Sequence, residues 1–244
     1  MASPIDTSML QLAYQPIVSL KEKHHPAIAF ESLLRIRKGG DVHGPVSFLR
    51  DAEINGSIVA VDRWVLRQVI QLACEKPNLT TWINASQISI ADPNFLVAAV
   101  TSMAETNTLG RVTFEITETA DVHQRLLAKR LSSIVVSPFT VVIDDVRDGF
   151  AKRQLLGKSY VSGCKLSRET TREMVKSLTV RQEVQQLVKT CRRLGKNLVI
   201  EGIENVDELQ MALSLDISIG QGYLFCRPSP VTGLQTYSQM KSYE

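Results

Sequence analysis

The chain has 244 residues, 44% hydrophobic and 22% charged, with 28 basic and 25 acidic residues for a net charge of +3. This composition supports a soluble globular core and excludes a disordered chain, and the near balance of charge gives no argument for nucleic-acid or membrane binding. No apolar run approaches the roughly 20 residues of a membrane-spanning helix, and Met1-Ala2-Ser3-Pro4-Ile5-Asp6 lacks the basic-then-apolar pattern of a signal peptide, so a cytoplasmic protein is expected.

Short β-rich runs alternate with helical patterns along the chain. Strands are expected at Leu12 to Leu20 and Ala27 to Arg35, followed by a polar, Gly-rich connection from Lys38 to His43. Val61, Trp64, Val65, Val69, Leu72 and Ala73 then fall on one helical stripe. A strand at Thr80 to Asn84 precedes Asp92-Pro93, which suits the cap and first turn of a helix running to about Ala104. Further strands are expected at Arg111 to Glu118, Phe139 to Asp145 and Tyr160 to Leu166. The longest helix should include Val180, Val184, Leu187, Val188, Cys191 and Leu194 and stop at Gly195, a residue suited to a left-handed C-terminal cap. Lys189, Arg192, Arg193 and Lys196 read as its solvated C-terminus, favoured by the helix dipole. A strand at Asn197 to Glu201, a helix start with Asn205 as cap and Glu208 as capping-box partner, and a strand at Ile217 to Leu224 complete the series. Cys74, Cys164, Cys191 and Cys226 have no metal-ligand spacing and read as free thiols in a reducing compartment.

Eight strands alternating with helices, with no linker or repeat between them, imply one domain with a mostly parallel sheet. Its core would span about residues 12–230, and a closed (β/α)8-type barrel fits better than an open sheet. In such barrels the active site lies at the C-terminal ends of the strands. Acids gather there, in Phe30-Glu31-Ser32-Leu33, Phe114-Glu115-Ile116-Thr117-Glu118, Ile143-Asp144-Asp145 and Ile200-Glu201-Gly202-Ile203-Glu204. Asn84, Lys165 and Gln221 occupy comparable positions. Clustered carboxylates repel, so such a set must protonate or bind cations, and hard divalent cations are the natural partners of oxygen ligands. A metal pair about 3.5–4 Å apart could clamp both oxygens of a phosphodiester displacement. Lys165 among the acids would stay protonated or orient a water.

With these landmarks in order, the sequence resembles the EAL-domain cyclic-di-GMP phosphodiesterases from about Tyr14 to Pro228. The matching segments are Gln15-Pro16-Ile17, Glu31-Ser32-Leu33-Leu34-Arg35, Pro45 with Phe48 and Ala52-Glu53, and Asn84-Ala85-Ser86. Then follow Glu115-Ile116-Thr117-Glu118, Asp144-Asp145, Lys165-Leu166, Glu201-Gly202-Ile203-Glu204 and Gln221-Gly222-Tyr223-Leu224-Phe225. The signature Glu-Ala-Leu stands here as Glu31-Ser32-Leu33. The resemblance implies an α/β fold, a modified TIM barrel with one antiparallel strand. It implies hydrolysis of cyclic di-GMP to linear pGpG with two divalent cations, Mg2+ or Mn2+. Glu31, Asn84, Glu115 and Asp144 would hold the first ion, and Asp144, Asp145 and Glu201 the second. Lys165 would position the hydrolytic water, with Glu204 and Gln221 in support. Gln15, Leu33 and Arg35 would contact the dinucleotide, and Glu118 would steady the loop after the fifth strand. A homodimer formed through that loop is also implied.

Two departures stand out. The family's Phe-Gly-Thr-Gly-Tyr-Ser loop after the aspartate pair is Val146-Arg147-Asp148-Gly149-Phe150-Ala151 here, and its Lys-Ile-Asp is Lys165-Leu166-Ser167. The altered loop favours the alternative of a degenerate domain that binds cyclic di-GMP, or a protein partner, without cleavage.

Overall fold

The computed structural model describes residues 6–117, 124–133, 139–146 and 155–232. The chain divides into two compact units, residues 1–14 with 31–140 and residues 15–30 with 141–244. Strands β1 (Leu10–Ser19) and β2 (Ala27–Lys38) pair with each other, and each contributes residues to both units.

In the first unit the strand order is β3-β2-β4-β5. The segment expected as a polar connection contains β3 (Asp41–His43), antiparallel to the end of β2. Gly39 and Gly40, at φ 61° and 94°, make the intervening turn, a conformation that other residues adopt at a cost. Every residue of β3 is exposed, so no hydrophobic alternation marked it. Helix α1 (Val46–Ile54), equally weakly patterned, buries only Ala52. Helix α2 (Ile58–Glu75) buries Val61, Val65, Val69, Leu72 and Ala73 of the expected stripe, while Trp64 is half-buried. Strands β4 (Thr81–Ala85) and β5 (Val112–Ile116) run parallel, with Asn84 opposite Glu115. Between them lie α3 (Gln87–Ala91) and α4 (Pro93–Glu105); the Asp92 side chain caps α4 as expected, accepting from the N–H groups of Asn94 and Phe95. Phe95 meets Phe114 edge-to-face in the core at a centroid distance of 6.2 Å, a geometry that aromatic pairs prefer, and Phe114 meets Phe139 at a tilt, 5.6 Å apart. Helix α5 (Gln124–Ser133) completes the described part of the unit.

In the second unit the order is β6 (Val141–Ile143), β7 (Val161–Leu166), β8 (Asn197–Ile200), β9 (Ile219–Gly220), β1. Neighbours from β6 to β9 are parallel, and β1 runs against β9. Helices α6 (Arg168–Lys176), α7 (Leu178–Leu194) and α8 (Val206–Ser214) alternate with these strands. Helix α7 ends at Gly195 in the left-handed region, φ 64°, and Asn205 with Glu208 forms a complete capping box on α8. At 17 residues α7 is one shorter than α2, so it is not the longest helix. The strand expected at Ile217 to Leu224 is only Ile219–Gly220, because Gly222 packs onto the Ile203 backbone and the chain turns there. This α/β order is that of the modified (β/α)8 barrel expected from the sequence, with β1 as its antiparallel strand; the β2–β3 hairpin adds a second antiparallel pairing that was not expected.

All four cysteines are free thiols: Cys164 and Cys191 are buried with their sulfurs 3.7 Å apart, Cys226 is half-buried and Cys74 is exposed. Among the described residues no helix is long and apolar enough to cross a membrane.

Candidate active site

In the first unit, strand pairing brings Glu31, Asn84 and Glu115 onto adjacent strands. Glu31 lies inside its strand, within the expected span Ala27 to Arg35; β2 runs past that span to Lys38, where it pairs with β3. Asn84 and Glu115 are each the penultimate residue of their strand. Glu31 and Glu115 are buried, at 4% and 1% exposure. The Asn84 amide nitrogen donates to Glu31 Oε1 at 2.8 Å, which leaves the amide oxygen as an acceptor for a further partner. The serine of Glu31-Ser32-Leu33 is buried and donates to the Trp82 carbonyl at 3.0 Å, tying β2 to β4. Leu33 is half-buried, and Arg35, also half-buried, donates to the Leu34 carbonyl.

In the second unit, Asp144 and Asp145 directly follow β6. The Asp145 N–H donates to Asp144 Oδ1 at 2.8 Å, and Asp145 takes a positive φ of 39° as the chain leaves the strand. Lys165, penultimate in β7, is fully buried and forms an ion pair with Glu201, just past β8. Register explains the encounter: Leu166 pairs with Ile200, and the Glu201 N–H donates to the Leu166 carbonyl. Gln221, just past β9, is buried and donates through Nε2 to Gln15 Oε1 at 3.4 Å; Gln15 donates in turn to the Cys226 carbonyl at 3.0 Å. Glu204 turns to Arg168 at 2.6 Å and Arg172 at 3.1 Å, and these ion pairs were not foreseen. The guanidinium of Arg168 also lies 6.0 Å from the Tyr223 ring centroid, and that of Arg227 lies 4.2 Å from it.

Glu118 and most of the 146–151 loop lie outside the described residues; Val146, the described member, is buried. Sequence reasoning missed Asp62. It is buried, accepts the Ser86 N–H at 2.9 Å, and burial pushes its carboxyl up to about 7 despite that bond. The signal was present: Asp62 precedes Val65 and Leu66 by three and four residues, on the apolar stripe, where an acid is out of place.

Glu115, Asp144 and Glu201 are carboxylates that could hold a metal ion. Glu31 and the Asn84 amide in the first unit, and Asp145 in the second, likewise offer oxygen, a donor chemistry that suits a hard divalent cation rather than a soft metal.

Three comparisons with known proteins bear on the family and the fold. A family model described as "EAL domain" matches residues 3–228. The chain is 25% identical, over 96% of its length, to the cyclic di-GMP phosphodiesterase PdeR of Escherichia coli, of which it covers 36%. It spans about a third of the length of the curated relatives it matches. The EAL domain protein of Listeria monocytogenes shares its fold at a TM-score of 0.84, with 20% identity over 95% of this chain and 93% of that one. The Klebsiella pneumoniae protein BlrP1, solved as a complex with calcium and cyclic di-GMP, matches at a TM-score of 0.78 with 26% identity, covering 94% of this chain and 58% of that one.

Proposed function

The chain belongs to the EAL domain family, and from that premise we propose that it hydrolyses cyclic di-GMP to linear pGpG with two divalent cations, Mg2+ or Mn2+. Glu31, Asn84, Glu115 and Asp144 would hold one ion, and Asp144, Asp145 and Glu201 the other. When bound, the ions would offset charge on the phosphate oxygens and acidify the attacking water. The chain's own groups do the rest. Lys165, buried and ion-paired with Glu201, orients that water. Gln221 is held by Gln15 for a supporting contact, and Glu204 is held by Arg168 and Arg172. Gln15, Leu33 and Arg35 receive the dinucleotide; the Arg35 guanidinium suits phosphate or guanine acceptors. Glu118 steadies the following loop, and a homodimer would form through it. Residues 1–244 would act as one EAL-type domain in the cytoplasm.

The observation that carries this reading is the ion pair of Lys165 with Glu201. A lysine with no exposure is costly to bury as a cation, and its partner is one of the carboxylates suited to a metal. Incubation of the purified protein with cyclic di-GMP and Mn2+, followed by chromatography, should yield pGpG. Intact cyclic di-GMP after prolonged incubation, with the nucleotide bound, would instead establish the second reading, a receptor that does not cleave. Arg147 and Asp148, where the family has glycine and threonine, favour that second reading. The double variant Arg147→Gly, Asp148→Thr should then gain turnover.

A further inference from the structure

The turn that carries the chain from β4 into α3 is held at each residue after Asn84. The Ala85 carbonyl accepts the Thr117 N–H at 3.2 Å, and Gln87 Nε2 donates to the Thr117 carbonyl at 3.1 Å. Between them, the Ser86 N–H donates to Asp62 Oδ2 at 2.9 Å, and Ser86 Oγ donates to Glu53 Oε1 at 2.8 Å. Two carboxylates from two different helices thus grip one residue, two positions beyond Asn84. Glu53 is half-buried on α1, and Asp62 is buried on the apolar face of α2.

Packing beside this turn is incomplete. A cavity of about 50 Å3 lies beside it, lined by Asn84, Ser86, Glu53, Asp62 and Ser32, with an apolar wall that includes Val65. That is room enough for water. A turn beside open space keeps its place through its hydrogen bonds. An acid kept on an apolar helix face, where it is costly, marks a requirement that stability alone does not explain.

We propose that Asp62, aided by Glu53, is a positioning residue for the metal site: it fixes the β4–α3 turn so that the Asn84 amide oxygen is presented to a divalent cation. The proposal rests on the reading of Asn84 as a ligand given above. Partners that orient metal ligands from outside the first ring of contacts typically matter about 10- to 100-fold in metal affinity. Asp62 acts through Ser86, one bond further out, so the low end of that range applies.

The test uses the full chain with Mn2+ alone, titrated by calorimetry without nucleotide, alongside thermal unfolding of each variant. Asn84→Ala should weaken Mn2+ binding. Asp62→Ala should weaken it about tenfold, and Glu53→Ala by a smaller factor in the same direction. Asp62→Asn, whose amide oxygen still accepts the Ser86 N–H, should stay within about threefold of the parent. A residue that only stabilises the fold would lower the melting temperature and leave Mn2+ affinity of the folded protein unchanged. If Asn84→Ala loses affinity while Asp62→Ala and Glu53→Ala match the parent, the positioning role is wrong. If Asp62→Ala does not fold, Glu53→Ala decides. If Asn84→Ala itself binds Mn2+ like the parent, the ligand assignment falls, and this role falls with it.

Discussion

Lys165 and Glu201 form an ion pair in which the lysine is fully buried and the carboxylate is 24% exposed. The cation is thus fixed by its surroundings, while its partner keeps an open side on which another cation could sit. Lys165→Ala should lower kcat by roughly two to four orders of magnitude, the usual range for a group acting in proton transfer. Affinity for Mn2+ and for cyclic di-GMP should change little, since the role is in the chemical step. Single-turnover rates and calorimetry on the same protein decide this; parent-like turnover excludes Lys165 from the chemistry.

Glu31→Ala should behave differently. It removes a buried carboxylate and leaves the Asn84 amide without the acceptor it now has. Activity should collapse, and raising Mn2+ should recover part of it. A variant that needs no more metal than the parent would take Glu31 out of the ligand set.

Excess chelator should abolish turnover, and Ca2+ should inhibit when Mg2+ supports it. Ca2+ takes more ligands at longer bonds, so it would occupy the oxygens without the geometry the displacement needs. Full turnover in chelator would rule out metal-dependent hydrolysis by this chain.

Asp62 makes stability depend on pH in a direction opposite to that of an ordinary paired carboxylate. Its folded pKa is raised from 3.8 to about 7 by burial, with the neighbouring Glu53 charge adding to the shift. Between about pH 4 and pH 7 the folded protein keeps this proton and the unfolded chain has lost it, so stability falls as pH rises through that window. The loss is on the order of 4 kcal/mol at about 1.4 kcal/mol per pKa unit. Asp62→Asn has no charge to bury, so its stability relative to the parent should rise by that order from pH 4 to above pH 7. Urea unfolding at a series of pH values measures the difference; a difference independent of pH would mean Asp62 stays ionised in the fold.

Gly202 lies between Glu201 and Ile203 at φ 67°, and a Cβ there would overlap the Arg168 side chain and come within 3.0 Å of its Cα. Gly202→Ala should therefore destabilise by about 1–3 kcal/mol. Because the strain falls beside Glu201, it should also raise the Mn2+ concentration needed for half-maximal turnover. Unchanged stability would show that α6 can move away freely.

Much of this was legible in the sequence, because the informative residues sit where local rules are strict. Gly195 ends α7 by its left-handed backbone, and Asn205 with Glu208 caps α8 by a pairing that depends on spacing alone. Asn84, Asp144, Lys165 and Glu201 fall at or just past strand ends because apolar runs mark where strands stop. What was not legible depends on partners distant in sequence. The extension of β2 from Arg35 to Lys38 needs β3, whose residues are all exposed and carry no pattern. The early end of β9 is set by Gly222 packing on Ile203, and the engagement of Glu204 by Arg168 and Arg172 is set by α6. Asp62 left a visible trace as an acid on an apolar stripe, but its partner Ser86 lies 24 residues away.

The distribution of thiols has a practical use. Cys164 and Cys191 are enclosed, Cys226 is half-covered, and Cys74 stands exposed near the end of α2, the helix that also carries Asp62. Reagents reach exposed sulfur first. A maleimide dye added briefly to the unmodified protein would therefore settle on the outside of that helix. The chain thus supplies its own attachment point for a fluorescent reporter, one that registers changes around α2 while every residue of the candidate site stays as it is.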